Sequence, residues 1–227
     1  EIRVSTGEAY LQTQTPRKDF IMKILVLNSG SSSIKYKMLD MHKELLLADG
    51  LVERIGENNG KVCHKRYHKD ATVSETLLEQ AIVDHNQGMK TAVSLLTDAH
   101  TGVIDGQDDI TAIGHRVVHG GEMFRQSTLI DARVIENVEA CIPLAPLHNP
   151  GCLAGIRTAI ALFPQTPQVA VFDTAYHQSI PPHAYHYALP RRFYEEYGIR
   201  RYGFHGTSHQ YVAGEACRLL GKTLDST

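Results

Sequence analysis

No Cys-x-x-Cys pair and no Cys/His ligand spacing occurs in this chain of 227 residues, whose four cysteines, Cys63, Cys141, Cys152 and Cys217, are scattered. They read as reduced core residues of a cytoplasmic protein, not as a disulfide framework. Blocks of like charge are missing too. The 23 basic and 25 acidic residues leave a net charge of -2, which points away from nucleic acid and membrane surfaces and toward a small-molecule ligand. No apolar run reaches the roughly 18 to 20 residues of a membrane span. The first 21 residues lack the apolar centre of a secretory signal. Met22, just before a strong strand pattern, reads as the natural start, and residues 1–21 as an upstream extension or non-native leader. Internal repeats and low-complexity segments are absent as well.

What remains is a soluble, globular composition, 42% apolar, sufficient for one large domain or two small ones. The apolar run at 24–27 predicts a strand buried on both faces. After the turn "SGSSS", Ile34, Tyr36 and Met38 alternate with Lys35 and Lys37 as a second strand. A third strand is expected over 44–55, and the polar, His- and Lys-rich stretch 56–70 reads as a surface loop or weak hairpin. Met89, Val93 and Leu96 recur at helical spacing. The stretch 110–122 predicts a strand ending in Gly120-Gly121. Asp131 is the expected N-cap of a helix over 132–141, and Asn149 that of a helix whose first turn holds Pro150. "QVAVFDT" is a buried strand ending at Asp173, and "TSHQYVAGEACRLLG" a helix capped by Thr207 and stopped by Gly221. Strands first, then strands alternating with helices, predict an α/β protein with a mixed sheet.

Several stretches carry chemistry. "LNSGSSSIKYK" has the composition of a phosphate loop, but a strand follows it where a P-loop needs a helix. Its backbone amides and the Ser31, Ser32 and Ser33 hydroxyls can donate to phosphate oxygens, with Lys35 as a point charge beside them. The Asn28 carbonyl suits a hard cation or its waters. The plainer reading is an ordinary hairpin. In "GHRVVHGG", Arg116 and Val118 share one strand face, and His115 and Val117 the other. An arginine in an apolar strand requires an anion, which is either a ligand or a buried ion-pair partner. His119 reads as a strand end. His148, between Pro146 and Pro150, is a stiffly held histidine, either active or capping. Asp173 ends a buried strand, where clefts open in α/β sheets, and can bind metal, orient a nucleophile or cap a loop. His205 and His209 gather at a helix N-terminus, a site for an anion or merely for capping and packing. Arg200 and Arg201 read as surface or loop-anchoring charges, and His183 and His186 as exposed.

Taken together and in order, "LVLNSGSSSIKYK", "IGHRVVHGGE", "PLAPLHNP", "VAVFDTAYHQSIP" and "RRYGFHGTSH" closely resemble the acetate kinase family, and the resemblance runs from Met22 to the end of the chain. It implies the ribonuclease H-like, actin-like ATPase fold of sugar kinases, heat-shock protein 70 and actin. Residues 22–173 would form the N-terminal domain, and 174–227 its remainder and the start of a second, truncated domain. The implied reaction moves the γ-phosphoryl of ATP reversibly to acetate, giving acetyl phosphate and ADP, with Mg²⁺ as cofactor. By resemblance, Asn28 is the magnesium-site asparagine, Lys35 the nucleotide-phosphate lysine, and Ser31 and Ser33 the hairpin serines. Arg116 binds the substrate carboxylate, Asp173 is the catalytic aspartate, His205 stabilises the transition state, and His148 is a further active-site histidine. Val118, Leu147 and Phe204 line the acyl pocket. Acetate is the expected first substrate and propionate the second.

Members of that family are longer. Their second domain supplies a Gly-rich adenosine site, a second catalytic arginine and a magnesium-binding glutamate, none of which this sequence contains, and most of the family's homodimer surface is missing with them. Two expectations follow: an acetate kinase active only with a missing half, or a fragment that binds small carboxylates or phosphate without catalysis. A hydrolase using Asp173 and His205 is the remaining alternative.

Overall fold

The computed structural model describes residues 22–224. Strand β1 (Lys23–Ser29) runs antiparallel to β2 (Ser33–Asp40), and β3 (Leu45–Glu53), β4 (Glu57–Tyr67) and β5 (Val73–Ile82) extend this antiparallel meander. Helix α1 (His85–Thr97) leads back to β6 (Ile110–Val117), which lies parallel to β1 on its other side. The short β7 (Thr128–Leu129), helices α2 (Ala132–Ala140) and α3 (Asn149–Leu162), and β8 (Gln168–Phe172) follow, with β8 parallel to β6. Three helices complete the described chain: α4 (Pro182–Tyr185), α5 (Arg192–Tyr197) and α6 (Gly206–Leu220). The result is one eight-stranded mixed sheet of order β5-β4-β3-β2-β1-β6-β8-β7.

Period-two alternation decides which face is buried. Leu25, Leu27, Ile34, Tyr36, Met38, Ile113 and Val117 all point to one face and are 0 to 2% exposed. Helices α1 and α3 cover that face with Met89, Ala92, Leu96, Ile156 and Ala159. Each buried Leu, Ile, Val or Met among them stabilises the fold by about 1.5 to 3 kcal/mol. Asp84 caps α1 by accepting from the Gln87 amide at 2.8 Å, and Asp131 caps α2 through the Val134 amide at the same distance.

The stretch 56–70 is neither a surface loop nor a hairpin of its own. It forms β4, in which Val62 and His64 point inward at 1% exposure. His64 is accommodated because its Nδ1 accepts from the Tyr36 hydroxyl at 2.8 Å and its Nε2 donates to the Thr101 carbonyl at 3.1 Å. Strand β5, the exposed edge, has too few buried positions to announce itself. The expected caps also shift: His148, not Asn149, precedes α3, and His205, not Thr207, precedes α6. Gly221 does close α6, with φ at 62°. Among the cysteines, Cys141 and Cys152 are buried and Cys63 and Cys217 half-buried, all four with free thiols. Residues 1–21, read as a leader, lie outside the described residues.

Candidate active site

Strand register lines up the polar residues. Asn28 on β1 faces Lys35 on β2, and Leu27 faces His115, so Asn28 and Arg116 leave the sheet on the same side. Arg116 in turn faces Val171 on β8, and Asp173, two residues on, keeps that side. The Asp173 amide donates to the Val117 carbonyl at 2.9 Å and carries the ladder past the end of the strand. Because α1 and α3 cover the opposite face, Lys35, Asn28, Arg116 and Asp173 form a polar row on the uncovered one.

At the end of this row three candidates touch. Arg116 Nε donates to Asp173 Oδ1 at 3.1 Å and Nη2 to Oδ2 at 2.7 Å, a bidentate fork. Nη2 also donates to His205 Nδ1 at 3.3 Å. A guanidinium nitrogen only donates, so His205 Nδ1 accepts and the neutral ring carries its proton on Nε2. The Asp173 side chain is 5% exposed and that of Arg116 36%; the fork is what makes burying the carboxylate tolerable. Hydrogen bonding to Asp173 raises the Arg116 pKa further above its ordinary value. His205 stands in the left-handed region with φ at 54°, and the next residue, Gly206, donates its amide to the Asp173 carbonyl at 2.8 Å.

The β1–β2 turn is clamped from below. The Gly30 amide donates to the Ser33 carbonyl at 2.8 Å, and the Gly30 carbonyl meets His85 Nε2 at 2.7 Å. The first turn of α3 lies so close that a Cβ on Gly151 would sit 2.6 Å from the Gly30 carbonyl carbon. Only glycine permits that approach. Ser31 and Lys35 are exposed and Ser33 is half-buried. His148 is exposed at the start of α3, with no side-chain cap bond. Val118 is half-buried, Leu147 is 79% exposed, and Phe204, 42% exposed, has its ring 5.7 Å from that of His119. A neighbouring groove of about 480 Å³, lined by Arg125, Tyr176, Thr207 and Gln210 among others, contains none of the candidate residues.

Three residues read from the sequence as a strand end, a helix cap and a surface or loop-anchoring charge support the site. His119 is 1% exposed and pushed down to about 4 by burial; its Nδ1 accepts from the Gly121 amide at 3.0 Å. Asn149, fully buried, accepts from the His119 amide and donates to the His119 and Val138 carbonyls. The side chain of Arg200 is 4% exposed, so of its two readings the loop-anchoring one holds; it pairs with Glu122 and stacks over the Tyr185 ring at 3.6 Å. His119 and Arg200 lie in the polar stretches "HGGE" and "RRYGFHG", and Asn149 in "PLAPLHNP", but their types alone do not show that they are buried.

Among the described residues, no group of three or more His, Cys, Asp or Glu side chains forms a metal cage. The oxygen donors on the row, Asn28 and Asp173, are interleaved with the cations Lys35 and Arg116. That set fits a hard divalent ion carried in by phosphates, not one held by protein alone.

Comparison with solved structures places this mixed sheet in the actin-like ATPase fold. A crystal structure of Porphyromonas gingivalis acetate kinase superposes with a TM-score of 0.82 at 46% identity, covering 91% of this chain and 51% of that one. A propionate kinase from Francisella tularensis subsp. tularensis SCHU S4 superposes at 0.80 with 41% identity, covering 89% and 50%. The acetate kinase of Halothermothrix orenii is 55% identical over 204 residues, 90% of this chain and 50% of its own length. The Acetokinase family model matches residues 23–227. The chain belongs to the acetokinase family, and spans about half the length of the relatives it matches.

Proposed function

We propose that this chain carries the carboxylate-binding part of an acetate kinase site and takes part in the reversible transfer of the γ-phosphoryl of ATP to acetate, giving acetyl phosphate and ADP. The observation that carries this reading is the contact of Arg116 with both Asp173 and His205, beside the clamped hairpin. Family membership supports it.

Acetate ionises near pH 4 to 5, so at neutral pH the nucleophile needs no strong base. The obstacle is bringing one anion in line with another. Arg116 holds the carboxylate, and one of its oxygens forms the new bond to phosphorus as the bond to the ADP oxygen breaks. Lys35, Ser31, Ser33 and the hairpin amides hold the nucleotide phosphates. From its outward Nε2, His205 donates to the equatorial oxygens that gain charge in the transition state. Asp173 orients Arg116 and faces the metal side, with His148 as a further active-site histidine. When bound, Mg²⁺ neutralises charge between the phosphates, and Asn28 is the residue that would hold it. Val118, Leu147 and Phe204 receive the methyl group. A tight pocket changes preference by only about 1 to 3 kcal/mol per methylene, so propionate is the second substrate.

In this reading residues 22–173 form the N-terminal domain, and 174–227 its remainder and the start of a second one. The same reading expects a cytoplasmic homodimer in the longer form, with small-molecule partners and neither nucleic acid nor membrane; separately, no described helix is long and apolar enough to cross a membrane. Coverage of only half of each relative favours a second reading, in which this chain alone binds small carboxylates or phosphate without turnover. Trapping acyl phosphate with hydroxylamine in the presence of ATP, Mg²⁺ and acetate, beside an Arg116→Ala control, separates the two.

A further inference from the structure

The 203–206 turn presents both Phe204 and His205, and its backbone is unusual. Gly203 has φ at 78°, and His205, without the freedom of glycine, has φ at 54°. Left-handed backbone at a non-glycine residue persists only where its surroundings hold it. His205 makes no side-chain capping bond to α6; its ring meets Arg116 Nη2 at 3.3 Å, and the backbone of the turn needs a hold of its own.

The hold comes from the segment that follows β8. At one end, the Gly206 amide donates to the Asp173 carbonyl at 2.8 Å, so closely that a Cβ on Gly206 would lie 2.5 Å from that oxygen. At the other, in the 3-10 turn Tyr176–Ser179, His177 Nε2 meets the Phe204 carbonyl at 3.1 Å. A carbonyl only accepts, so this nitrogen carries the proton. The same ring fills the space under Gly203, where a Cβ would lie 2.6 Å from ring carbons, and its centroid is 5.6 Å from that of His209 in the first turn of α6. One imidazole therefore supports the turn through a hydrogen bond, through packing beneath it and through the helix that it starts.

We propose that His177 is a positioning residue: it holds the 203–206 turn so that His205 reaches Arg116 and Phe204 faces the acyl pocket. The functional consequence rests on the acetate kinase reading; the mechanical one does not. His177 touches none of the reacting groups, and acts through the Phe204 carbonyl and the backbone of His205.

The test uses the chain as it stands, with His177→Ala and His177→Gln. The glutamine amide nitrogen reaches about as far as the imidazole Nε2 and restores the donor. Hydrogen exchange at the Gly206 amide reports the turn without any ligand, and β1 amides report the global fold. Titration with acetate and with propionate reports the site. In His177→Ala, Gly206 exchange is expected to quicken at least about tenfold while β1 stays protected. Acetate binding weakens about fivefold, the preference for acetate over propionate narrows toward one, and His177→Gln recovers most of both. Unchanged Gly206 exchange overturns the proposal, and so does acceleration shared equally by β1, which makes His177 merely structural. If Gly206 alone responds but wild type takes up no acetate, the mechanical role stands and the acetate kinase reading fails.

Discussion

Asp173 fills the donor fork of Arg116, with Nε to Oδ1 at 3.1 Å and Nη2 to Oδ2 at 2.7 Å. An acetate carboxylate arriving at the same guanidinium therefore competes with a carboxylate already in place. Asp173→Asn weakens the resident partner from charged to neutral, and a charge-assisted hydrogen bond exceeds a neutral one by about 1 kcal/mol. Calorimetric titration of this variant should show acetate bound about 3- to 10-fold more tightly while phosphoryl transfer is lost. Weaker acetate binding in the variant would mean that Asp173 only orients Arg116.

Stability should fall on mild acidification, because three histidines are buried in neutral form. Burial pushes His115 and His119 down to about 4 and lowers His64 from its ordinary value. Unfolded histidine titrates near 6.5, so between these limits the unfolded chain binds more protons than the folded one. The contribution is complete above about pH 6.5 and is lost as pH drops toward 4. Urea unfolding at pH 7.5 and pH 5 should differ by about 2 to 4 kcal/mol; an unchanged midpoint contradicts this account.

The hairpin is held by close approach, so Gly151→Ala forces α3 and the β1–β2 turn apart. The added Cβ would meet the Gly30 carbonyl carbon at 2.6 Å and the Ser31 amide nitrogen at 2.8 Å. Because the opposing atoms are backbone, the expected cost is about 2 kcal/mol or more. It should appear in the denaturation midpoint, together with weaker binding of inorganic phosphate.

Asn149→Ala removes three buried hydrogen bonds, those to the His119 amide, the His119 carbonyl and the Val138 carbonyl. Leaving those backbone groups unpaired should destabilise the fold by about 2 to 4 kcal/mol. The change is expected in thermal unfolding, and a loss under about 1 kcal/mol would show that water replaces the amide.

The part of the fold nearest the site was legible because it is regular. The apolar alternation of 34–38, the apolar runs at 24–27 and 168–172 and the Asp131 cap translate into β2, β1, β8 and α2, although β1 is buried on one face only: Leu25 and Leu27 are covered, while Ile24 and Val26 are half-buried. Strands β4 and β5 were hidden because their exposed side carries cross-strand charge pairs. Lys61 pairs with Glu79 at 3.0 Å and Lys65 with Glu75 at 3.8 Å, and before the pairing is known such residues look like loop. For Arg116 the sequence left an anionic ligand and an ion pair both open; the structure gives the ion pair, with another candidate as the partner. Contacts such as His177 with the Phe204 carbonyl join residues 27 positions apart, and a left-handed turn at His205 has no sequence mark, since histidine seldom adopts it.

Phosphoryl transfer centred on Arg116 is tested most directly in the reverse direction, where the product is detected sensitively. Purified chain is incubated with acetyl phosphate, ADP and Mg²⁺, and ATP is read by luminescence, beside Arg116→Ala and with the longer form that includes the relatives' second half. ATP formation that requires Arg116 is expected in the longer form. ATP formed equally well without Arg116 in that form, or none from it at all, would rule out a phosphoryl-transfer site centred on Arg116.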